Sequence, residues 1–344
     1  MTEINAKINN ELNLKSSQIN ISLLKEMTKD SFADCKLDNT FCIFLSINNI
    51  FHLIYVNKNK SMISYDLVND KKLNEIKISQ GYISFLRHYL DKFNKRDLIM
   101  TVSVLNFEHD IIKVWNILNY ECILKLGKNK SLVNTYGASF FNDNIQNYIV
   151  TNNRYFDGSL FIIFDFEGNT IKKIQNFHQA VKFIDTYNDI KFNKFYIILC
   201  GCNSIISYDF KNDSIYKVYE DNSDLKNFNS KSFIINEKNE IIASCNDGNI
   251  RIWDFYTSKL LKRINICNRF LYGFCLYKNI IFVGDEEGDI TLVDISNEKI
   301  INKIKGEDNS FILTIKKIIH SKYGLCLITQ GFRDGQLKLW KINE

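Results

Sequence analysis

A short pattern recurs along the chain and restricts the folds that it can adopt. Seven segments alternate apolar and polar residues as a β-strand does, place a bulky residue near their end, and usually follow it with Asp or Asn. We name these bulky residues the anchors: Tyr65, Trp115, Phe164, Tyr208, Trp253, Val293 and Trp340. Their spacing of roughly 40–50 residues is typical of a strand-built unit repeated around a ring.

Turns and flanking strands repeat together with the anchors. A second strand-like run follows each of the first six anchors, and further β-rich runs lie upstream, so each unit holds about four strands. Several anchors are preceded by an acidic residue and Gly, a pair that predicts a tight hairpin between alternating runs. These pairs are Asp157-Gly158, Asp247-Gly248, Glu287-Gly288 and Asp334-Gly335. The chain has no Pro, so its turns are expected to depend on Gly, Asn and Asp.

These observations predict an all-β fold, a seven-bladed β-propeller with four-stranded antiparallel blades. One such sheet has two apolar faces, and seven sheets packed radially cover each other's faces. After Trp340 only residues 341–344 remain, too few for the outer strand of the last blade, whereas residues 18–26 are a strand-like run left over at the other end. We predict that this N-terminal strand completes the last blade and closes the ring. The expected organisation is a flexible polar tail at 1–17 and one propeller at 18–344.

The best-preserved copy of the repeat is CNDGNIRIWDF, which contains Trp253-Asp254, and Trp115-Asn116 is a near match. On these motifs the sequence resembles the WD-repeat (Trp-Asp repeat) β-propeller family, as a divergent member, over about residues 18–344. The resemblance implies a rigid scaffold that binds peptides or subunits of complexes.

The chain also departs from the family pattern. The Gly-His pair that often opens a family repeat is missing, and His178 is its best remnant. The family's His–Asp–Ser/Thr–Trp network is therefore not expected to be complete in any blade. Asp247 and Asp334 each precede a Trp by the interval of the family's turn Asp, so a structural role in the hairpin is expected for both.

The net charge, the apolar segments and the Cys content of the chain bear on which classes of function and which compartment are expected. The net charge is +5 with no long basic run, which gives nucleic acid or an anionic membrane little support unless the Lys residues form one face. The N-terminus has no apolar core of the signal-peptide type, and no segment approaches the ~18 apolar residues of a membrane span. The nine Cys include no C-x-x-C pair, which favours reduced thiols in an intracellular protein, cytoplasmic or nuclear. No cofactor or metal site is expected, and residues 284–289, GDEEGD, are interpreted as a solvated acidic turn.

Motifs of common enzymes are missing. The sequence contains no Gly-x-Ser-x-Gly nucleophile elbow, no Gly-x-Gly dinucleotide fingerprint and no phosphate-binding loop. The expected function is a non-catalytic scaffold, monomeric by itself, that binds other proteins within a multi-subunit complex. The alternative is an enzyme whose active site is dispersed around the central channel, which would place carboxylates and His there with shifted pKa values.

Residues for partner binding are predicted on loops, because loops vary without disturbing the core. With the strands of a blade lettered a to d, we place the contacts on the face that carries the b–c hairpins and the d–a connections. The predicted contact residues are Asn246, Glu286 and Arg333, each just before a turn acid, and Arg269 at the entry to blade six. The anchors are expected to be core residues.

Overall fold

The structure, a computed structural model, describes residues 19–26, 41–57, 59–78, 81–105, 109–127, 135, 137–155, 158–177, 181–201, 204–221, 230–305, 311–332 and 337–343. Several sequence predictions fall on residues outside this description: the tail at 1–17, Asp157, His178, Arg333, Asp334 and Gly335.

Within these residues, 28 strands form seven antiparallel sheets of four strands each, which confirms the predicted β-propeller. The strands are β1 (Asn20–Glu26); β2 (Phe41–Leu45), β3 (Phe51–Val56), β4 (Ser61–Asp66) and β5 (Lys71–Lys77) in blade one; β6 (Tyr82–Asp91), β7 (Arg96–Leu105), β8 (His109–Asn116) and β9 (Glu121–Leu126) in blade two; β10 (Ala138–Asn142), β11 (Asn147–Tyr155), β12 (Gly158–Asp165) and β13 (Thr170–Phe177) in blade three; β14 (Val181–Asp189), β15 (Lys194–Gly201), β16 (Ile205–Asp209) and β17 (Ser214–Tyr219) in blade four; β18 (Ser230–Ile235), β19 (Glu240–Cys245), β20 (Asn249–Asp254) and β21 (Leu260–Asn265) in blade five; β22 (Leu271–Tyr277), β23 (Ile280–Asp285), β24 (Ile290–Asp294) and β25 (Lys299–Ile304) in blade six; and β26 (Ile312–His320), β27 (Gly324–Gly331) and β28 (Leu337–Asn343), which join β1 in blade seven.

The order of strands in each sheet defines the inside of the ring and its two faces. First strands of neighbouring blades pack against each other, as β2 does with β6 and β22 with β26, so strands a surround a central channel. Because consecutive strands are antiparallel, a–b hairpins and c–d turns share one face, named the a–b face. The b–c hairpins and d–a connections share the opposite, b–c face.

The core lies between blades rather than within them. Among the described side chains, seven apolar clusters are found, and each is built from two neighbouring sheets. The anchors all lie on strands c and contribute to the interface with the preceding blade. Trp253 is fully buried against blade four, for example, and Tyr65 is a half-buried anchor against blade seven.

The ring closes through the N-terminal strand, as the sequence predicts. Strand β1 pairs antiparallel with β28, with Asn20 opposite Asn343 and Leu23 opposite Trp340. Ile21 of this strand is buried in the cluster between blades six and seven, which also contains Trp340. The two ends of the chain therefore share one sheet.

A bulge next to each anchor is a repeated feature that the sequence does not announce. In the pairing of strands c and d the register shifts at the anchor, and strand d carries one extra residue there. The extra residues are all large apolar or aromatic side chains: Leu24, Leu73, Ile123, Ile171, Tyr216, Leu261 and Ile301.

The Asp or Asn that follows an anchor caps the c–d turn. Asp254 Oδ1, for example, accepts hydrogen bonds from the backbone N–H and the hydroxyl of Thr257, both at 2.7 Å. Hydrogen bonds from Thr257 hold the pKa of the Asp254 carboxyl below its ordinary value. Six of these turns end on a residue with left-handed backbone: Asp70, Tyr120, Gly168, Asp213, Ser258 and Glu298. The expectation that Gly, Asn and Asp would serve the turns is thus only partly correct.

Candidate functional site

Three of the predicted contact residues meet at one corner of the b–c face. Asn246 lies in the b–c turn of blade five, Arg269 in the connection to blade six, and Glu286 in the b–c turn of blade six. The Glu286 N–H donates to the Phe270 carbonyl at 3.1 Å, which joins the turn of blade six to the connection. The turn of blade five packs on the same connection, since a Cβ built on Gly248 would lie 3.0 Å from the Arg269 carbonyl oxygen.

Arg269 is already engaged by acids of its own chain. Its Nη2 lies 2.8 Å from Asp285 Oδ2 and 3.3 Å from Asp289 Oδ2, and its Nη1 pairs with Glu287. Asp285 and Asp289 are buried, and burial raises the pKa of Asp285. The GDEEGD segment is therefore not the solvated acidic turn that the sequence predicts, because two of its aspartates form a buried cluster with Arg269.

A second buried charge cluster underlies the Trp253-Asp254 copy of the repeat. Arg251 is fully buried, with its Nε 2.7 Å from Asp221 Oδ2 and its Nη2 2.6 Å from Asp247 Oδ2. Burial disfavours the charged Asp247, but hydrogen bonds and the charge of Arg251 outweigh it and hold the pKa below its ordinary value. Our sequence analysis missed this cluster, although Arg251 and Trp253 are two residues apart on a strand and so face the same interior side.

The Trp anchors also have polar partners. Nε1 of Trp115 donates to Thr101 Oγ1 at 3.0 Å, and Nε1 of Trp340 donates to Thr329 Oγ1 at 2.9 Å. In blade five the Trp253 ring donates instead to the Glu220 carbonyl at 3.0 Å. Two blades thus keep the Thr–Trp part of the network that the WD-repeat resemblance implies.

The a–b face carries an exposed apolar arc that the sequence analysis did not select. Its members are tips of the a–b hairpins in blades one to four: Ile47, Phe93, Ile145, Ile190 and Phe192. Two of them are almost entirely in solvent, Ile145 at 81% and Ile190 at 87% exposed. The described a–b tips of blades five and six carry Glu237, Lys238, Lys278 and Asn279 instead. Large apolar side chains exposed on the tips of four successive blades mark this part of the face as a candidate binding surface.

Hydrogen bonds between blades hold the tips of this arc together. The Ile47 N–H donates to Asp97 Oδ2 at 2.8 Å across blades one and two. Nδ2 of Asn147 donates to Asp91 Oδ1 at 2.9 Å across blades two and three. Nδ2 of Asn144 donates to an oxygen of blade four at 3.3 Å. These hydrogen bonds therefore tie the a–b tips of neighbouring blades to each other.

The exposed charges on these hairpin tips are positive. Lys92, Lys95 and Lys191 are exposed, and Lys191 Nζ lies 5.1 Å from the ring centre of Phe192. Asp91, at the base of a tip, is buried and pairs with Arg96 at 2.9 Å. The described tips of the arc thus combine apolar and basic side chains.

The central channel contains two cavities, of about 360 and 280 Å³, that share Arg87, His88 and Asp185. Arg87 crosses from blade two to blade four: its Nη1 donates to Ser139 Oγ at 2.6 Å and lies 2.5 Å from Asp185 Oδ1. His88 Nε2 lies 2.8 Å from Asp97 Oδ1. Among the described residues that line the two cavities, Asp185 is the only carboxylate, and Arg87 holds it. The described lining of these two cavities therefore shows one carboxylate, held by Arg87, rather than a pair suited to acid–base catalysis.

No family model matches this chain, and no curated protein matches it significantly in sequence. The seven-bladed propeller is a fold that commonly serves as a protein-interaction scaffold, and its repeated anchors are consistent with the WD-repeat resemblance. In the part of the chain that the structure describes, no helix has the length and apolar character to cross a membrane. No group of three or more metal-ligating side chains is found there either.

Proposed function

We propose that this chain is a divergent WD-repeat protein that acts as a non-catalytic scaffold and binds other proteins on its propeller faces. The apolar arc on the a–b face carries the proposal. A large apolar side chain in water is stabilised when a partner covers it, at about 25 cal/mol per Å² of buried apolar surface. The five exposed apolar side chains of the arc supply the central contacts around which a protein interface forms.

The positive charge on the hairpin tips of the arc indicates which kind of partner protein would bind there. Exposed Lys92, Lys95 and Lys191 lie on the tips of blades two and four beside the apolar residues, and complementary charge favours association and disfavours partners of like charge. We therefore propose that the arc binds an acidic segment of a partner protein that also carries large apolar side chains. Such a segment would place Leu or Phe against the tips and Glu or Asp against the lysines.

A peptide-binding measurement tests this proposal directly. The probe is a short fluorescent peptide that combines Glu or Asp with Leu and Phe, and two matched peptides replace either its acids by Lys or its apolar residues by Ser. The full chain should bind the first peptide and neither of the others, and added salt should weaken binding because it screens the lysines. Fluorescence anisotropy gives the Kd of each.

Substitutions on the exposed tips then locate the binding surface. Phe93→Ser combined with Ile190→Ser should weaken peptide binding by about tenfold or more with little change in Tm, because both side chains are exposed. Ile300→Ser is the matched control, since Ile300 is 48% exposed but lies on the outer strand β25 of blade six, outside both proposed surfaces. Peptide binding that the double substitution leaves unchanged, or that Ile300→Ser weakens equally, would refute the arc as the site.

The corner formed by Asn246, Arg269 and Glu286 is proposed as a second contact surface. Asn246, Arg269 and Glu286 are each half-buried, so part of every one of these residues stays accessible at this corner. Arg269→Gln tests this corner by affinity purification from the native organism with quantitative mass spectrometry, and Arg333→Glu tests separately the predicted contact that lies outside the described residues. Equal recovery of every partner from the variant and the wild type would remove this corner from the proposal.

A further inference from the structure

Seven positions on strands a occupy the same place in their blades. Each pairs through strand b with the residue immediately before an anchor, as Arg87 does through Met100 with Val114. The seven are Cys42, Arg87, Ser139, Asp185, Ile234, Cys275 and Lys316. They form one layer around the channel. The charged members are Arg87 and Asp185, which pair with each other, and Lys316.

Lys316 has no carboxylate partner within ion-pair distance among the described residues. Its Nζ donates to the Phe41 carbonyl at 3.2 Å and lies 5.2 Å from the centre of the Phe41 ring. The amine lines the larger channel cavity together with Cys42, Arg87 and Asp185. Burial lowers the pKa of Lys316, and the charge of Arg87 lowers it further against the opposing effects of Cys42 and Asp185. Its ammonium form therefore has Asp185 as the carboxylate of the same cavity, but no direct ion pair with a described residue.

The wall beside Lys316 favours an anion. Among the described residues that line the larger cavity, the two cations Lys316 and Arg87 face the single carboxylate Asp185. Arg87 uses Nη1 for Ser139 and Asp185 and Nη2 for the Ile184 carbonyl at 3.2 Å. A guanidinium carries five N–H donors, so donors remain for a ligand. The cavity of about 360 Å³ has the size of a small-ligand site.

We propose that Lys316 and Arg87 form a binding site for a small oxyanion, a phosphate or a carboxylate, in the central channel at the junction of blades seven, one and two. Lys316 supplies a point charge and Arg87 a planar set of donors, a combination suited to both groups. Asp185 competes with the ligand for Arg87. This site is independent of the scaffold surfaces, since no residue of the apolar arc lines the cavity.

Thermal unfolding and calorimetry with inorganic phosphate and with citrate test the site, and chloride at equal ionic strength is the reference. The two ligands separate phosphate from carboxylate as the preferred group. At least one of them should raise Tm by about 4 °C at a concentration on the order of 100 times its Kd. Failure of both to raise Tm above the chloride reference would overturn the proposal.

Variants distinguish a site from a general effect of anions. Lys316→Met should raise the Kd roughly tenfold or more, because it removes a charged donor, while it leaves the Tm without ligand unchanged or higher. Lys317→Met is the control, since the neighbouring Lys317 is exposed and does not line the cavity. Retained binding in Lys316→Met would contradict the assignment.

A gain of binding provides a second, independent test that a misfolded variant cannot imitate. Asp185→Asn releases Arg87 from its internal carboxylate and should lower the Kd of the same oxyanion severalfold. An unchanged or weaker affinity in Asp185→Asn would show that Arg87 takes no part in the site.

Discussion

The closing strand provides the sharpest test of the fold. Ile21 of β1 is buried between blades six and seven, whereas Leu24 of the same strand is a bulge residue that is 36% exposed. Replacing a buried Ile by Ala costs about 2–5 kcal/mol, because the apolar contact is lost and a cavity remains. The unfolding entropy of a chain of 344 residues makes each kcal/mol worth about 1.5 °C in Tm. Ile21→Ala should therefore lower Tm by about 3–7 °C.

Leu24→Ala is the matched control on the same strand. It removes a similar side chain from the surface and should change stability by less than about 0.5 kcal/mol. Thermal unfolding followed by circular dichroism measures both variants, and deletion of residues 1–30 should lower Tm sharply. Equal Tm values for Ile21→Ala and Leu24→Ala, or an unchanged Tm after the deletion, would refute closure of the ring by this strand.

Three further predictions concern the buried interior. Gly248 has φ +75°, and a Cβ at this position would lie 1.7 Å from a carbonyl oxygen of the neighbouring loop, so Gly248→Ala should destabilise the fold strongly. Gly324 has a similar φ of +76° but open space around the Cβ position, so Gly324→Ala should cost about 1 kcal/mol. Urea unfolding compares the free energies of unfolding of the two variants. Arg251→Ala should cost about 3–5 kcal/mol because it leaves Asp221 and Asp247 with only the longer contacts to Arg263, at 3.6 and 3.7 Å, whereas the more exposed Arg263→Ala should cost less than about 1 kcal/mol by the same assay. The pKa of Asp247 is lowered in the folded state, so the ionised carboxylate stabilises the fold at pH values above the ordinary carboxyl pKa, and this stability is lost as pH falls through the folded-state pKa. Asp247→Asn should therefore flatten the dependence of Tm on pH between about 5 and 2. An unchanged slope of Tm against pH would contradict this prediction.

Much of the fold follows from local patterns in the sequence. The recurrence of the anchors and their hairpin turns is sufficient to predict the number of blades, and the unmatched strand at residues 18–26 predicts the closure. These features depend on alternation and turn chemistry, which act over a few residues. The register between strands c and d does not follow from these local patterns. The bulges at the anchors can be seen only from the pairing of the strands in the structure.

The candidate sites were harder to predict because they depend on which blades lie side by side. The hairpin tips that carry Phe93 and Ile190 are ordinary loop residues in the sequence, and only the ring places them on one arc. Lys316 and Arg87 are separated by most of the chain, and pairing across three strands is needed to place them in one layer. The buried position of Arg251 was predictable from alternation, but a charged residue type argued against it.

The bulges on the outer strands hinder edge-to-edge pairing of two copies of this chain. A propeller whose blades end in regular strands would present seven free sheet edges, each able to add a strand of another copy. Here the extra residue beside every anchor interrupts the row of free N–H and C=O groups, and lysines such as Lys72 and Lys262 lie on the same strands. An incoming strand would meet an irregular, positively charged edge. The outer rim can thus remain open to solvent without becoming a template for aggregation.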